Sequence, residues 1–257
     1  SRYKSDPFFL MMSWGPPHAP YQLVPEEYRR MYDPEKIELR PNVENPKRQQ
    51  IADYYAAITA LDRDVGRLVD TLRELGLLDN TIIVFTSDHG DMLWSQGRQK
   101  KQQPWEESIR VPLILSAPGL LPEGARSDAL FGTADLTPTL LGLVGLENPS
   151  GMQGLDLSPR LTKGGGEEHE SVPIMDVLPC DQSRAWGGRP WRGVRTKRYT
   201  FARFRDKGWV LYDNEKDPYQ LDNLIDKKEH RDLRAKMQAE LDMWLERLDD
   251  DFLTGEG

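Results

Sequence analysis

Apolar positions along the chain fall into short runs and two longer stretches with helical spacing. Between Gln49 and Leu75, Ile51, Tyr54, Tyr55, Ile58, Leu61, Val65, Leu68, Val69 and Leu72 recur on one face, which predicts a helix that Gly76 stops. Thr81 to Phe85 is β-branched and aromatic without alternation, as expected of a strand covered on both faces, and Val111 to Ser116 predicts another. Phe8 to Ser13, bounded by Pro7 and by Gly15-Pro16-Pro17, predicts a buried strand running into the loop that carries His18. Ala134 to Val144 reads as a helix with Asp135 near its start. The order strand, long helix, strand, loop, strand, helix is that of an α/β layered sheet.

A polar, glycine-rich stretch from Lys163 to Glu168 changes the pattern, so the expected organisation is an α/β domain over residues 1–163 and a subdomain over 164–257. In the latter, Trp191 to Val194, Tyr199 to Phe204 and Trp209 to Tyr212 predict short antiparallel strands. Lys228 to Leu248 then has helical spacing at Leu233, Met237, Leu241, Trp244, Leu245 and Leu248. A small sheet with a terminal helix is therefore expected there.

Bulk properties narrow the function more than the fold. With 38% hydrophobic residues, 257 residues can bury a core. A net charge of -8 argues against binding to nucleic acid, whose phosphates call for clustered Lys and Arg. No stretch approaches the roughly 18 consecutive apolar residues of a membrane-spanning helix. Cys180 is the only cysteine, so no internal disulfide forms and redox chemistry does not indicate a compartment.

Candidate chemistry concentrates in TSDHGD, directly after the Thr81 strand, where ligands gather in open α/β sheets. Asp88 offers a hard carboxylate, His89 an imidazole that can ligate a metal, and Gly90 room for close backbone approach. An Asx-type turn explains the same six residues equally well. Lys100 and Lys101 lie in the next polar loop, either solvated or stabilising charge on a bound anion. Glu106 and Glu107 suit the first turn of a helix better than a catalytic pair. His18 is a ring held between prolines that could protonate a leaving alkoxide or could be structural. His169 and His230 receive no role. Trp191, Arg192, Arg184 and Trp209 read as core packing of the small sheet in preference to a sugar-binding rim.

Taken together, SWGPPHAPYQLVPEEY, YYAAITALDRDVGRLVDTLRELGLLDNTIIVFTSDHGD, KKQQPWEESIRVPLILSAPG, WRGVRTKRYTF and LYDNEKDPYQLDNL resemble the sulfatase family of the alkaline-phosphatase superfamily. The resemblance implies the C-terminal part of that layered sheet domain, partial over 1–163, followed by a small antiparallel β plus helix subdomain. It implies that Asp88 and His89 ligate a divalent cation, usually Ca2+ and in some relatives Mg2+ or Mn2+. Lys101, with Lys100 as the weaker candidate, would contact the sulfate, and His18 would face the ester oxygen of the leaving group. The implied activity is hydrolysis of sulfate esters, sulfated sugars among them; a phosphodiester or phosphonate monoester hydrolase, or a non-catalytic remnant of the fold, is the alternative.

The resemblance also marks departures. In the family, a cysteine or serine in a C/S-x-P/A-x-R pattern becomes formylglycine in an N-terminal segment that also supplies two acidic metal ligands. Formylglycine is not encoded here. Cys180-Asp181-Gln182-Ser183-Arg184 has the wrong central residue and follows the site, and Gln96 stands where many relatives have His. The chain is therefore expected to be inactive alone, a truncated or split product or a section of a precursor. Two protein ligands would hold Ca2+ weakly, and the chain is expected to self-associate or to need a complementing N-terminal half.

Overall fold

The computed structural model describes residues 6–180, 183–184 and 187–255. Asp181 and Gln182 of the Cys180 segment lie outside the described residues. The chain forms two compact units. One comprises residues 1–86, 91–100 and 112–123; the other comprises 87–90, 101–111 and 124–257.

In the first unit, helix α1 (Glu26–Arg29) precedes the long helix α2 (Arg48–Glu74). Gly76 ends α2 at φ 67°, with Leu77 N–H donating to Leu72 O at 2.9 Å and Gly76 N–H to Arg73 O at 3.0 Å. This six-to-one closure needs a residue that tolerates left-handed backbone, and glycine does so at least cost. Burial is confined to the first half of α2, at Ile51, Ala52, Asp53, Ala56, Ala57 and Leu61, so the apolar stripe outruns its cover. Buried Asp53 accepts from Arg29 Nε and Gln49 Nε2, both at 2.9 Å, which satisfies the carboxylate and ties α1 to α2.

Strands β1 (Ile83–Thr86) and β2 (Leu113–Ser116) pair antiparallel, Ile83 opposite Ser116 and Thr86 opposite Leu113. The expectation of strands covered on both faces is corrected here. β1 is only half-buried and β2 alternates, Ile114 facing solvent. Two strands offer a single ladder, and the β-branched run reflects pairing propensity as much as burial. The expected strand at Phe8–Ser13 is also corrected. Those residues form no strand, and Phe9 is 85% exposed. An apolar run becomes a strand only where a ladder partner meets it, and none of the described residues does so.

In the second unit, a 3-10 turn (Thr133–Asp135) leads into α4 (Leu136–Leu143), preceded in the chain by the short α3 (Glu106–Ile109) and followed by α5 (Ser158–Lys163). Asp135, buried at the start of α4, accepts from Gly132 N and Leu155 N at 2.7 Å each and from His169 Nε2 at 3.0 Å. That gives His169 a structural partner. An antiparallel meander follows, β3 (Ser171–Asp176), β4 (Trp191–Thr196), β5 (Tyr199–Arg203) and β6 (Gly208–Asp213), in the spatial order of the chain.

The aromatic strands and the terminal helix, α6 (Arg231–Arg247), match the sequence expectation; β3 does not appear in it. Pro173 hides β3 from pattern reading, yet proline is admissible because β3 is an edge strand. The core joins Val194, Phe201 and Leu211 of the sheet to Met237, Leu241 and Leu245 of α6. Trp191 and Arg192 are buried and Trp209 is half-buried, as core packing requires, but Arg184 is exposed and does not join that core. Among the described residues, no helix is long and apolar enough to cross a membrane.

Candidate functional site

TSDHGD begins where β1 ends. Asp88 Oδ1 accepts the His89 N–H at 3.0 Å, and Ser87 Oγ donates to His89 O at 2.8 Å. That bond is to the adjacent residue, so Asp88 does not close the Asx-type turn, which takes the N–H two residues on; nor does the bond exclude ligation. It uses Oδ1 and leaves Oδ2 at 3.6 Å from His89 Nε2. His89 Nδ1 lies 2.7 Å from Gly90 O, and because a carbonyl only accepts, Nδ1 is the donor of that bond. This is the arrangement by which metal-binding histidines are oriented, one nitrogen held by a carbonyl and the other presented to the ion. The Asp88 side chain is 85% exposed and that of His89 27%. An oxygen and a nitrogen donor facing one another fit a divalent cation as two of its ligands. Among the described residues, no cluster of three or more His, Cys, Asp or Glu side chains completes a cation site.

Gly90 fixes the orientation of this turn. Its N–H donates to Ser108 O at 2.9 Å, and a Cβ built there would stand 2.0 Å from Glu107 O. Only glycine lets the backbone lie this close to α3. α3 is itself pinned from below. Glu106 Oε1 accepts from Arg195 Nε at 2.7 Å on β4, and Glu106 N–H donates to Gln220 Oε1 at 2.9 Å. The structural reading of Glu106 as a first-turn acid holds, with an added role as the anchor of the helix.

Lys101 is half-buried in the same unit as Asp88 and His89. The next residue, Gln102, bonds through its side chain to Asp176 Oδ1 at 3.0 Å and to the Cys180 N–H at 3.0 Å. Burial raises the Asp176 carboxyl above its ordinary value, against the Gln102 hydrogen bond and the charge of Arg192, which lower it.

The first unit holds two further parts. His18 is exposed, its Nδ1 2.8 Å from Ala19 O, and it helps to line a recess of 230 Å³ with Pro16, Pro17, Pro20, Tyr21 and Leu23. The peptide bonds before Pro17 and Pro20 are cis. Asp91, which sequence reasoning passed over, organises the loop that follows it. Oδ2 accepts from Tyr21 OH at 2.7 Å, and Oδ1 accepts from Leu93 N and Lys100 N at 3.0 and 2.9 Å. Burial, and then the Asp91 charge, push the Tyr21 hydroxyl far above its ordinary range; the same causes push Tyr54 up to about 12. Both phenols stay protonated, and Tyr21 can donate to Asp91 at any physiological pH. Leu93, Trp94, Gln96, Lys100 and Gln102 all have positive φ, a concentration of strained backbone of the kind found at functional loops. The Gln96 N–H donates to Asn42 O at 2.7 Å. Its position in the family pattern is thus kept in place by backbone, whatever its side chain.

Residues 2–146 match the family profile described as Sulfatase, and residues 96–247 match that described as N-sulphoglucosamine sulphohydrolase, C-terminal. An ulvan-active sulfatase of Formosa agariphila is 38% identical over 96% of this chain and 49% of its own length. A solved structure concerned with the metabolism of multiple glycosaminoglycans by Bacteroides thetaiotaomicron superposes with a TM-score of 0.86 at 31% identity, covering 97% of this chain and 56% of that one. Another, in complex with its substrate D-glucosamine-2-N,6-O-disulfate, gives 0.74 at 31% identity, covering 81% and 43%. The chain thus spans about half the length of the relatives it matches.

Proposed function

The chain belongs to the sulfatase family, and from that premise we propose that it supplies part of the machinery for metal-dependent hydrolysis of sulfate esters, with sulfated carbohydrates as the substrate class. The observation that carries this reading is the pairing of Asp88 Oδ2 and His89 Nε2 at 3.6 Å, with the imidazole oriented by Gly90 O. Asp88 and His89 would hold a divalent cation, Ca2+ in this reading. Bound there, the ion would supply Lewis-acid stabilisation of charge on the sulfate oxygens. Lys101 adds a fixed positive charge for the same oxygens. His18 serves the leaving group. With Nδ1 engaged at Ala19 O, Nε2 is the atom through which it would give up a proton.

The nucleophile belongs to the remaining half of the family fold. No stretch of the 257 residues has the C/S-x-P/A-x-R pattern, and the relatives are about twice as long as this chain. The exposed Phe8–Met12 run is the surface at which that half would pack, since it presents Phe9, Leu10 and Met11 to solvent.

Support for carbohydrate substrates comes from the sulfated glucosamine bound by one relative. The test is steady-state hydrolysis of a chromogenic aryl sulfate and a sulfated sugar, with a phosphodiester in parallel, by the longest polypeptide that carries the chain. Lys101→Ala is expected to lower kcat/KM for the sulfate esters by about 10²–10³, the usual loss for one charge-stabilising donor. Equal rates in the two proteins, or faster turnover of the phosphodiester, would overturn the reading.

A further inference from the structure

Lys101 sits between two residues of left-handed backbone, Lys100 at φ 62° and Gln102 at φ 67°. Neither is glycine, so each conformation has a steric cost that local bonds must offset. At Gln102 those bonds account for every polar atom of the side chain. Nε2 donates to Asp176 Oδ1 at 3.0 Å and to Leu178 O at 3.4 Å, while Oε1 accepts the Cys180 N–H at 3.0 Å. Its backbone O accepts Trp191 Nε1–H at 3.2 Å.

Asp176 and Trp191 are register partners at the facing ends of β3 and β4. Gln102 therefore fastens the residue next to Lys101 to the rim of the sheet by both its amide and its carbonyl. Asp176 is only 5% exposed, and its Oδ2 has no hydrogen-bond partner among the described residues. A buried carboxylate with one oxygen unsatisfied is costly, and the charge-assisted bond that Oδ1 makes to Gln102 offsets part of that cost, which makes Gln102 the principal partner of this group among the described residues.

We infer that Gln102 is a positioning residue for Lys101: clamped by Asp176, its amide fixes the backbone from which the Lys101 ammonium meets the sulfate group. The inference rests on the proposed sulfate contact of Lys101. A lysine side chain is long and flexible, so fixing its origin matters more than it would for a short one, and a displacement of about 1 Å at a reacting group can cost on the order of 10²-fold in rate.

The test is competitive acetylation of the 257-residue chain, with each lysine read by peptide mass spectrometry, with and without inorganic sulfate; Lys163, exposed at the end of α5, is the internal reference. In the unsubstituted chain, sulfate is expected to slow acetylation of Lys101 relative to Lys163. Gln102→Met, which keeps length and removes the amide, is expected to lose that protection. Gln102→Glu alone is expected to lose it as well, because two carboxylates then face each other. Gln102→Glu with Asp176→Asn is expected to regain it, since donor and acceptor are exchanged across one bond. Protection retained in Gln102→Met, or a folded double variant that does not regain it, overturns the inference. If sulfate protects no lysine in the unsubstituted chain, the anion role of Lys101 fails. The positioning claim then stands or falls on whether Gln102→Met shifts the sulfate-free acetylation rate of Lys101.

Discussion

Gly90→Ala is expected to cost about 3 kcal/mol of unfolding free energy, at the upper end of what forcing an extra methyl group into a packed site costs. The added Cβ would stand 2.0 Å from Glu107 O and 3.0 Å from its carbonyl carbon, both backbone atoms that cannot swing aside as a side chain would. Either the turn lifts off α3 and breaks the 2.9 Å bond from Gly90 N–H to Ser108 O, or α3 moves. The first displaces Asp88 and His89, and the second strains the bonds that anchor α3 to Arg195 and Gln220. Gly165→Ala provides the control, because nothing stands within 4 Å of a Cβ there and φ lies outside the left-handed range. Urea denaturation of the two variants checks the difference, and Gly90→Ala within about 0.5 kcal/mol of the control, the range of neutral surface changes, would refute it.

The second large effect is expected at the far side of the same brace. Arg195→Met removes the guanidinium that holds Glu106 at 2.7 and 3.3 Å, leaving a carboxylate of 7% side-chain exposure whose one remaining cationic partner among the described residues is exposed Arg110 at 3.6 Å. Breaking a buried ion pair from one side costs about 3–5 kcal/mol, because the surviving charge remains desolvated. Glu106→Gln in the same background removes that charge and is expected to recover much of the loss. A thermodynamic double-mutant cycle reads both quantities. A cycle with no coupling between the two positions would show that the pair does not anchor α3.

Much of this architecture is legible locally. α2 declares itself by spacing and by the glycine that ends it, and β5 and β6 by aromatic and β-branched runs. TSDHGD is legible too, since the turn, its acid, its imidazole and its glycine are consecutive. What escapes sequence reading depends on partners far along the chain. Gln102 meets Asp176 across 74 positions, and Glu106 meets Arg195 across 89. Nothing near either residue announces the bond, so a glutamine after Lys101 reads as loop and Glu106 as an ordinary first-turn acid. Asp91 is intermediate. It stands in the motif, but its work in holding the loop to Lys100 depends on Tyr21, 70 positions earlier. Phe8–Met12 misleads in the opposite direction, because apolar composition alone does not supply a ladder partner.

The assignment of Asp88 and His89 as cation ligands is tested most directly by titrating Mn2+ into the isotopically labelled chain and following paramagnetic broadening by NMR. The amides of Ser87 to Gly90 and the His89 ring are expected to broaden first, and Asp88→Asn or His89→Ala to abolish that early broadening. Broadening that begins at other acidic residues, or that is unchanged in both variants, would contradict a metal site at the end of β1.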